Sequence, residues 1–176
     1  MKKVFLFFLL LSSSFCFALA LGQSGLNVQL SGNNGGLING KTWDSVMLKG
    51  KVSVLFYVDP DSVKSNEDFA KKLQAQNFDQ DTIQSIAIVN LGATWIPNFL
   101  IEQRMQSRQE EFPSAVYVAD TTSYLMHKWG FKEDSTDVFI FDKKGMLIYK
   151  KFGKLSKKEI VEVIALIKKL ILLKNK

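Results

Sequence analysis

Lys51-Val-Ser-Val-Leu-Phe-Tyr-Val-Asp59, followed by Pro60-Asp61-Ser62-Val63-Lys64, decides how the rest of the chain is read. The first run is apolar, β-branched and aromatic and is entered from a Gly50-Lys51 turn, the pattern of a buried strand. The second is a turn into a helix, with Asp61 or Ser62 available as the helix cap. A strand that delivers the chain through a loop to a helix N-terminus is where many α/β proteins keep a reactive group. This loop holds no Cys, no His and no glycine-rich cradle.

Working outward, Val63, Phe69, Ala70 and Leu73 give a helix from about Asp61 to Gln76 its inward stripe. Thr82 to Val89 reads as a second strand, and its Ile86-Ala-Ile-Val89 run predicts burial on both faces. Pro97 opens a helix to about Glu111, and Pro113 ends it. Ser114 to Ala119 is a third strand, after which Thr121 or Thr122 caps a short helix ending at Gly130. Val138 to Phe141, the turn Asp142-Lys-Lys-Gly145 and Met146 to Lys150 form a hairpin with Gly145 at positive φ. Ser156-Lys-Lys-Glu159 is a capping box for a last helix that carries Ile160, Val163, Ile164, Ile167 and Ile171 on one face. Upstream, Leu26 to Leu30 reads as a short strand and Ser31 to Gly36 as a turn or flexible loop. Alternating strands and helices predict an α/β domain. Its central mixed sheet has helices on both faces, parallel pairing with right-handed crossovers, and an antiparallel closing hairpin.

The chain of 176 residues has room for one such domain after a targeting segment. Met1-Lys2-Lys3 is a basic start, Val4 to Phe17 is apolar or small, and Ala18-Leu19-Ala20 is a small-x-small cleavage signal. Residues 1–20 are therefore expected to be a secretory signal peptide cut between Ala20 and Leu21. That leaves a soluble exported chain, 21–176, with no transmembrane span. Two rivals are a lipoprotein anchored through Cys16 and an uncleaved anchor. Phe15 opposes the first, because a small residue normally precedes a lipidated Cys. Cys16 is the only cysteine. If it leaves with the signal, the mature protein has no disulfide, thiolate nucleophile or Cys metal site.

The formal charge of +6 is unevenly spread: Lys143 to Lys176 holds eleven lysines against two glutamates. Those lysines alternate with apolar residues at helical spacing. A solvated helix face is therefore preferred to a surface for acidic lipid or an acidic partner. The same segment lacks the interleaved aromatics of a nucleic-acid site, and no nucleic-acid partner is expected.

The element order resembles the thioredoxin fold in its peroxiredoxin-like variety. Lys41-Thr-Trp-Asp-Ser45, Gly50-Lys51-Val52, Ile88-Val89-Asn90, Ile96-Pro97, Ile140-Phe-Asp-Lys-Lys-Gly145 and Leu155-Ser-Lys-Lys-Glu159 are similar to motifs of the YtfJ family. The resemblance covers nearly all of the expected mature chain. It implies a thioredoxin-like domain over 21–176, located in the periplasm of a Gram-negative bacterium. In a redox-active thioredoxin the strand and helix are joined by Trp-Cys-x-x-Cys, which falls here at about Asp61 to Lys64. The facing cis-proline position, counted back from Phe139-Ile-Phe-Asp142, falls near Thr136. Neither the cysteines nor the proline is present, as in that family, so dithiol exchange and peroxidase chemistry are not expected.

What remains is a candidate binding edge formed by Asp59, Asp61, Lys64 and Thr136, with a periplasmic protein or peptide as the kind of partner it suits. Non-thiol catalysis or metal binding by carboxylates at the same edge is the alternative. Asp59, Asp61, Glu67 and Asp68 surround the expected helix start, but acids are favoured there by capping and by the helix dipole in any protein. His127 is the only histidine, flanked by Met126 and Lys128. A soft metal site with Met126 and Met105 is weighed against a surface or structural histidine, and the second is preferred because no Met-x-x-Met or His-rich spacing supports the first. No catalytic residue, cofactor or metal is implied.

Overall fold

The computed structural model describes residues 18–25, 27–132 and 135–173. Readings that rest on residues 1–17, including the basic start and Cys16, lie outside the described residues. The elements in chain order are β1 (Gln29–Leu30), β2 (Gly35–Leu37), β3 (Trp43–Asp44), β4 (Val52–Val58), α1 (Glu67–Gln74) and β5 (Ile83–Asn90). They continue with α2 (Asn98–Glu111), β6 (Ala115–Asp120), α3 (Tyr124–Trp129), β7 (Asp137–Phe141), β8 (Leu147–Lys151) and α4 (Lys157–Leu172).

Six strands form the main sheet in the order β2-β6-β5-β4-β7-β8. β4, β5 and β6 run parallel, while β2, β7 and β8 pair antiparallel. Side-chain alternation along β4 divides the core. Leu55 and Tyr57 join Ile86, Ile88, Phe139 and Phe141 on one face, under α3 and the N-terminal segment. Val52 and Val54 join Val138 and Ile140 on the other, under α1 and α4. α2 lies on that second face too, where Ile101 and Met105 meet Val89 and Ala119. The expected mixed sheet with helices on both faces is the observed architecture.

Local chemistry accounts for most boundaries. Ser156 and Glu159 make both bonds of the capping box that starts α4. Asp142 accepts from the backbone N–H groups of Lys144 and Met146, and Gly145 takes φ +76° in that hairpin turn. Two elements differ from the sequence reading. The chain over 31–36 is not merely a loop, since Gly35 and Gly36 enter β2 on the sheet edge. A Cβ on Gly35 would lie 2.0 Å from the Ala119 carbonyl oxygen, and one on Gly36 2.7 Å from that of Lys41. Only glycine allows this approach. The first helix does not start at Asp61. Pro60–Ser62 forms a 3₁₀ turn, and the α-helix begins at Glu67.

Residues 18–25 are part of the fold. Leu19 is only 2% exposed within the core under α3. The Leu19 N–H donates to the Trp129 carbonyl, and the Lys150 ammonium donates to the Leu19 carbonyl. Gly22 donates to Leu147 O, and Leu147 donates to Gln23 O, alongside β8. Removing a buried leucine costs about 2–5 kcal/mol. A chain beginning at Leu21 is therefore expected to unfold at clearly lower urea concentration than one beginning at Ala18. Equal midpoints would show that Leu19 contributes nothing to the core.

Candidate functional site

β4 ends at Val58, and the next eight residues form the corner singled out in the sequence. Asp59, 5% exposed, turns its carboxylate back on the chain and accepts from Asp61 N–H at 2.7 Å, which holds the 3₁₀ turn. Asp61 is exposed and accepts from the Thr94 hydroxyl at 3.3 Å, joining this turn to the loop after β5. Lys64 is exposed. Thr136, immediately before β7, is 2% exposed and donates its hydroxyl to Ser62 O at 3.0 Å. Asp59, Asp61 and Thr136 thus meet around one turn, with Thr136 beneath it rather than on the surface.

Asn66 fastens the corner. Its amide nitrogen donates to Thr136 O at 2.8 Å and to Gly153 O at 3.1 Å, and its amide oxygen accepts from Leu155 N–H at 2.9 Å. With its side chain committed elsewhere, Asn66 makes no side-chain cap to α1. Asp137 adds a further tie by accepting from Gly153 N–H at 2.9 Å. Burial pushes the Asp137 carboxyl above the usual aspartate range.

A second polar cluster lies where β5 and β6 end. β5 leads to α2 on one face and β6 to α3 on the other, which opens a crevice at their carboxyl ends. The crevice holds about 570 Å³ and is lined by Asn90, Gly92, Ser123, Met126 and His127 among others. Asp120, next to the lining residue Thr121 in the chain, is fully buried. Its two oxygens accept from Tyr124 N–H at 2.7 Å, Leu125 N–H at 2.8 Å and the Tyr57 hydroxyl at 2.9 Å. Asp120, not Thr121 or Thr122, therefore caps α3. Ser123 takes φ +55° and donates to Asn90 Oδ1 at 2.8 Å. A Cβ on Gly92 would lie 2.6 Å from the Ser123 hydroxyl. His127 Nδ1 lies 2.6 Å from Ser123 O, so the neutral ring carries its proton on that nitrogen.

These contacts decide what the ionisable groups can do. The Asp59 carboxylate is spent on the turn, and Glu67 pairs with Lys71 at 2.9 Å. Among the described residues no three His, Cys, Asp or Glu side chains converge as a metal set. Met105 and Met126 lie in clusters on opposite faces of the sheet and do not converge with His127 on a common site.

Asn66, Asn90, Asp120 and Ser123 were missed in the sequence. Asn90 and Asp120 each follow an apolar strand run without a gap, and that position was the available signal. Asn66 fell inside a segment read as helix. The Asp120 cluster yields a pH-dependent expectation. Burial raises the Asp120 carboxyl, and the Tyr57 hydroxyl opposes that rise. A raised aspartate pKa means stability is present in the protonated state and is lost as pH rises through the folded value. Tyr57→Phe lifts that value further, so its penalty is larger at neutral pH than in acid. Urea titrations should show a loss of about 1–2 kcal/mol near neutrality, shrinking as pH falls toward the ordinary aspartate range. A pH-independent loss would show that the hydroxyl does not act through Asp120.

Among solved structures, a thiol-disulfide isomerase from Corynebacterium glutamicum superposes with a TM-score of 0.61 at 16% identity, covering 85% of this chain and 97% of that one. A peroxiredoxin-like protein from Aquifex aeolicus gives 0.59 at 15% identity, covering 87% and 88%. At such identities the likeness establishes a thioredoxin fold and nothing about activity. In sequence, the chain is 27% identical to a protein named YtfJ from Escherichia coli (strain K12) over 135 residues, 74% of this chain and 73% of that one. It is 26% identical to a protein from Haemophilus influenzae over 164 residues, 89% of each. Residues 23–170 match the family described as "Bacterial protein of unknown function (YtfJ_HI0045)", and the chain belongs to that family.

Proposed function

We propose that this protein is exported to the periplasm of a Gram-negative bacterium, is soluble there, and acts by binding a partner polypeptide rather than by thiol chemistry. The contact surface is the corner edge formed by Asp59, Asp61 and Lys64 over the buried Thr136. One observation carries this reading. The two segments joined by the Thr94–Asp61 hydrogen bond present a group of large apolar side chains to solvent. Trp95 is 89% exposed, Phe99 67% and Val63 52%. Aromatic side chains left uncovered beside charged residues are typical of protein-contact surfaces. The targeting-type start of the sequence supports export, and relatives from Escherichia coli and Haemophilus influenzae support a Gram-negative source.

Composition supports the non-thiol reading. Dithiol exchange needs two cysteines, and the chain has one, Cys16, inside the segment expected to be removed. The corner contributes no substitute nucleophile, because its buried polar groups are held by backbone partners.

In living cells, a photo-crosslinking residue placed at Asp61 or at Trp95 is expected to trap the same polypeptide. Placed at Lys144, in the exposed β7–β8 turn at the opposite end of the strands, it should trap nothing reproducible. Phe99→Ala should weaken capture from Asp61 several-fold. Loss of any common partner, or equal capture from Lys144, would overturn the binding surface. Purified mature protein should neither reduce insulin nor consume peroxide. Activity that persists in a chain without Cys16 would overturn the non-thiol reading.

A further inference from the structure

The sheet face under α1, α2 and α4 is covered in two separate patches. α1 and α4 pack over β4 and β7, while α2 packs over the ends of β5 and β6. Between the patches, β5 is left partly uncovered although it is hydrogen-bonded on both sides, to β4 and to β6. Ile83, Ser85 and Ala87 on this face are only half-buried, whereas Ile86 and Ile88 on the other are fully buried. The sequence reading of burial on both faces therefore fails at Ala87. α1 has only eight residues, α2 buries only Ile101 and Met105, and the floor side chains Ser85 and Ala87 are too small to fill the space. The result is a groove of about 860 Å³ between α1 and α2, running from Val63 and Thr136 at the corner toward Phe78 and Phe112.

The walls of the groove carry cations. Lys71 comes from α1, and Arg104 and Arg108 from α2. Lys71 pairs with Glu67 at 2.9 Å and Arg108 with Glu111 at 2.7 Å. The charge of Arg108 reaches Glu67 and Lys71 on the opposite wall. Arg104 has no hydrogen bond or ion pair among the described residues. One wall of an apolar groove thus presents a guanidinium with no carboxylate of its own.

The floor limits what can lie there. A polypeptide that binds as an added strand needs a free sheet edge, and both edges of β5 are already paired. Strand addition on the floor is therefore ruled out, and what the groove offers an occupant is apolar contact beside the Arg104 charge. A volume of this size is in the range of small-ligand sites. An Arg side chain is suited to a carboxylate. We propose that the groove between α1 and α2 binds a single-chain fatty acid, with its acyl chain on Ile83, Ser85 and Ala87 and its carboxylate at Arg104, assisted by Arg108. This site adjoins the corner edge, sharing Val63 and Thr136 with it, but does not depend on the partner proposed there.

The test uses purified full mature protein and displacement of a fluorescent fatty acid. Palmitate should bind saturably at one molecule per chain. It should bind about tenfold or more tightly than hexadecanol, as expected for a gained charge-assisted bond. Arg104→Gln, an exposed change, should remove that preference while leaving hexadecanol binding intact. Ala87→Phe, or the milder Ser85→Val if the first variant fails to fold, should weaken both ligands by filling the floor. Asp61→Lys at the corner should leave palmitate affinity unchanged, whatever it does to crosslinking. Absence of saturable palmitate binding, equal affinity for palmitate and hexadecanol, or indifference to the folded floor variant would overturn the proposal. So would displacement of the probe by unfolded polypeptide but not by palmitate.

Discussion

The Asn66 side chain joins three stretches that are far apart in sequence. Its two amide protons go to Thr136 O and Gly153 O, and its oxygen takes Leu155 N–H. A buried amide left unsatisfied costs about 1–3 kcal/mol, but here the carbonyl oxygen is paired and both N–H donors are used. The consequences spread outward. α1 is delayed to Glu67, the 59–65 segment is left as a turn, and Thr136 is drawn under it to meet Ser62. The strand β7 and the connection into α4 are tied to the same residue. The corner keeps a thioredoxin-type shape through polar contacts between side chains and backbone groups, and no thiol takes part in holding it.

That dependence marks the boundary of what could be read from the sequence. The strands β4 to β8 and the helices α2 and α4 announce themselves through periodicity, Pro97 and the Ser156–Glu159 capping box, all of which are local. Thr136 was placed opposite the 59–64 turn by counting along the chain, and its hydroxyl reaches Ser62. Asn66 gives no such signal, because a polar residue inside a helical stretch reads as solvent-facing. Its partners lie 70 to 89 residues away.

The same reason explains the other departures. β2 begins with two glycines, without the side chains by which strands are recognised. What requires it is the 2.0 Å approach that a Cβ on Gly35 would make to Ala119 O, a distance set by a distant strand. The cap of α3 was assigned to the nearest threonines. The chain instead uses Asp120, which the Tyr57 hydroxyl from two strands away helps to orient. Ala87 belongs to a run that looks buried on both sides. Whether a central strand is covered depends on the lengths of the helices above it, and a strand's own residues do not record that.

The buried carboxylates bear on how this protein works. Displaced aspartate pKa values in a cleft are often a mark of catalysis, and Asp120 and Asp137 are both raised by burial. Their hydrogen bonds favour a structural interpretation. Asp120 already accepts two backbone N–H groups and the Tyr57 hydroxyl. Asp137 accepts from Ser135 and Gly153. A general base needs a lone pair aimed at a substrate proton; the Asp120 oxygens are aimed at the fold itself, and the one Asp137 oxygen without a partner, Oδ2, is buried out of reach of solvent. The groups with capacity to spare are of another kind: the exposed aromatics beside Asp61, and Arg104 on the groove wall, which has no ion pair or hydrogen bond among the described residues. Shape, apolar area and one fixed charge are the features on which both proposed binding surfaces rest, and the polar contacts of Asn66, Asp120 and Thr136 hold the elements that carry them.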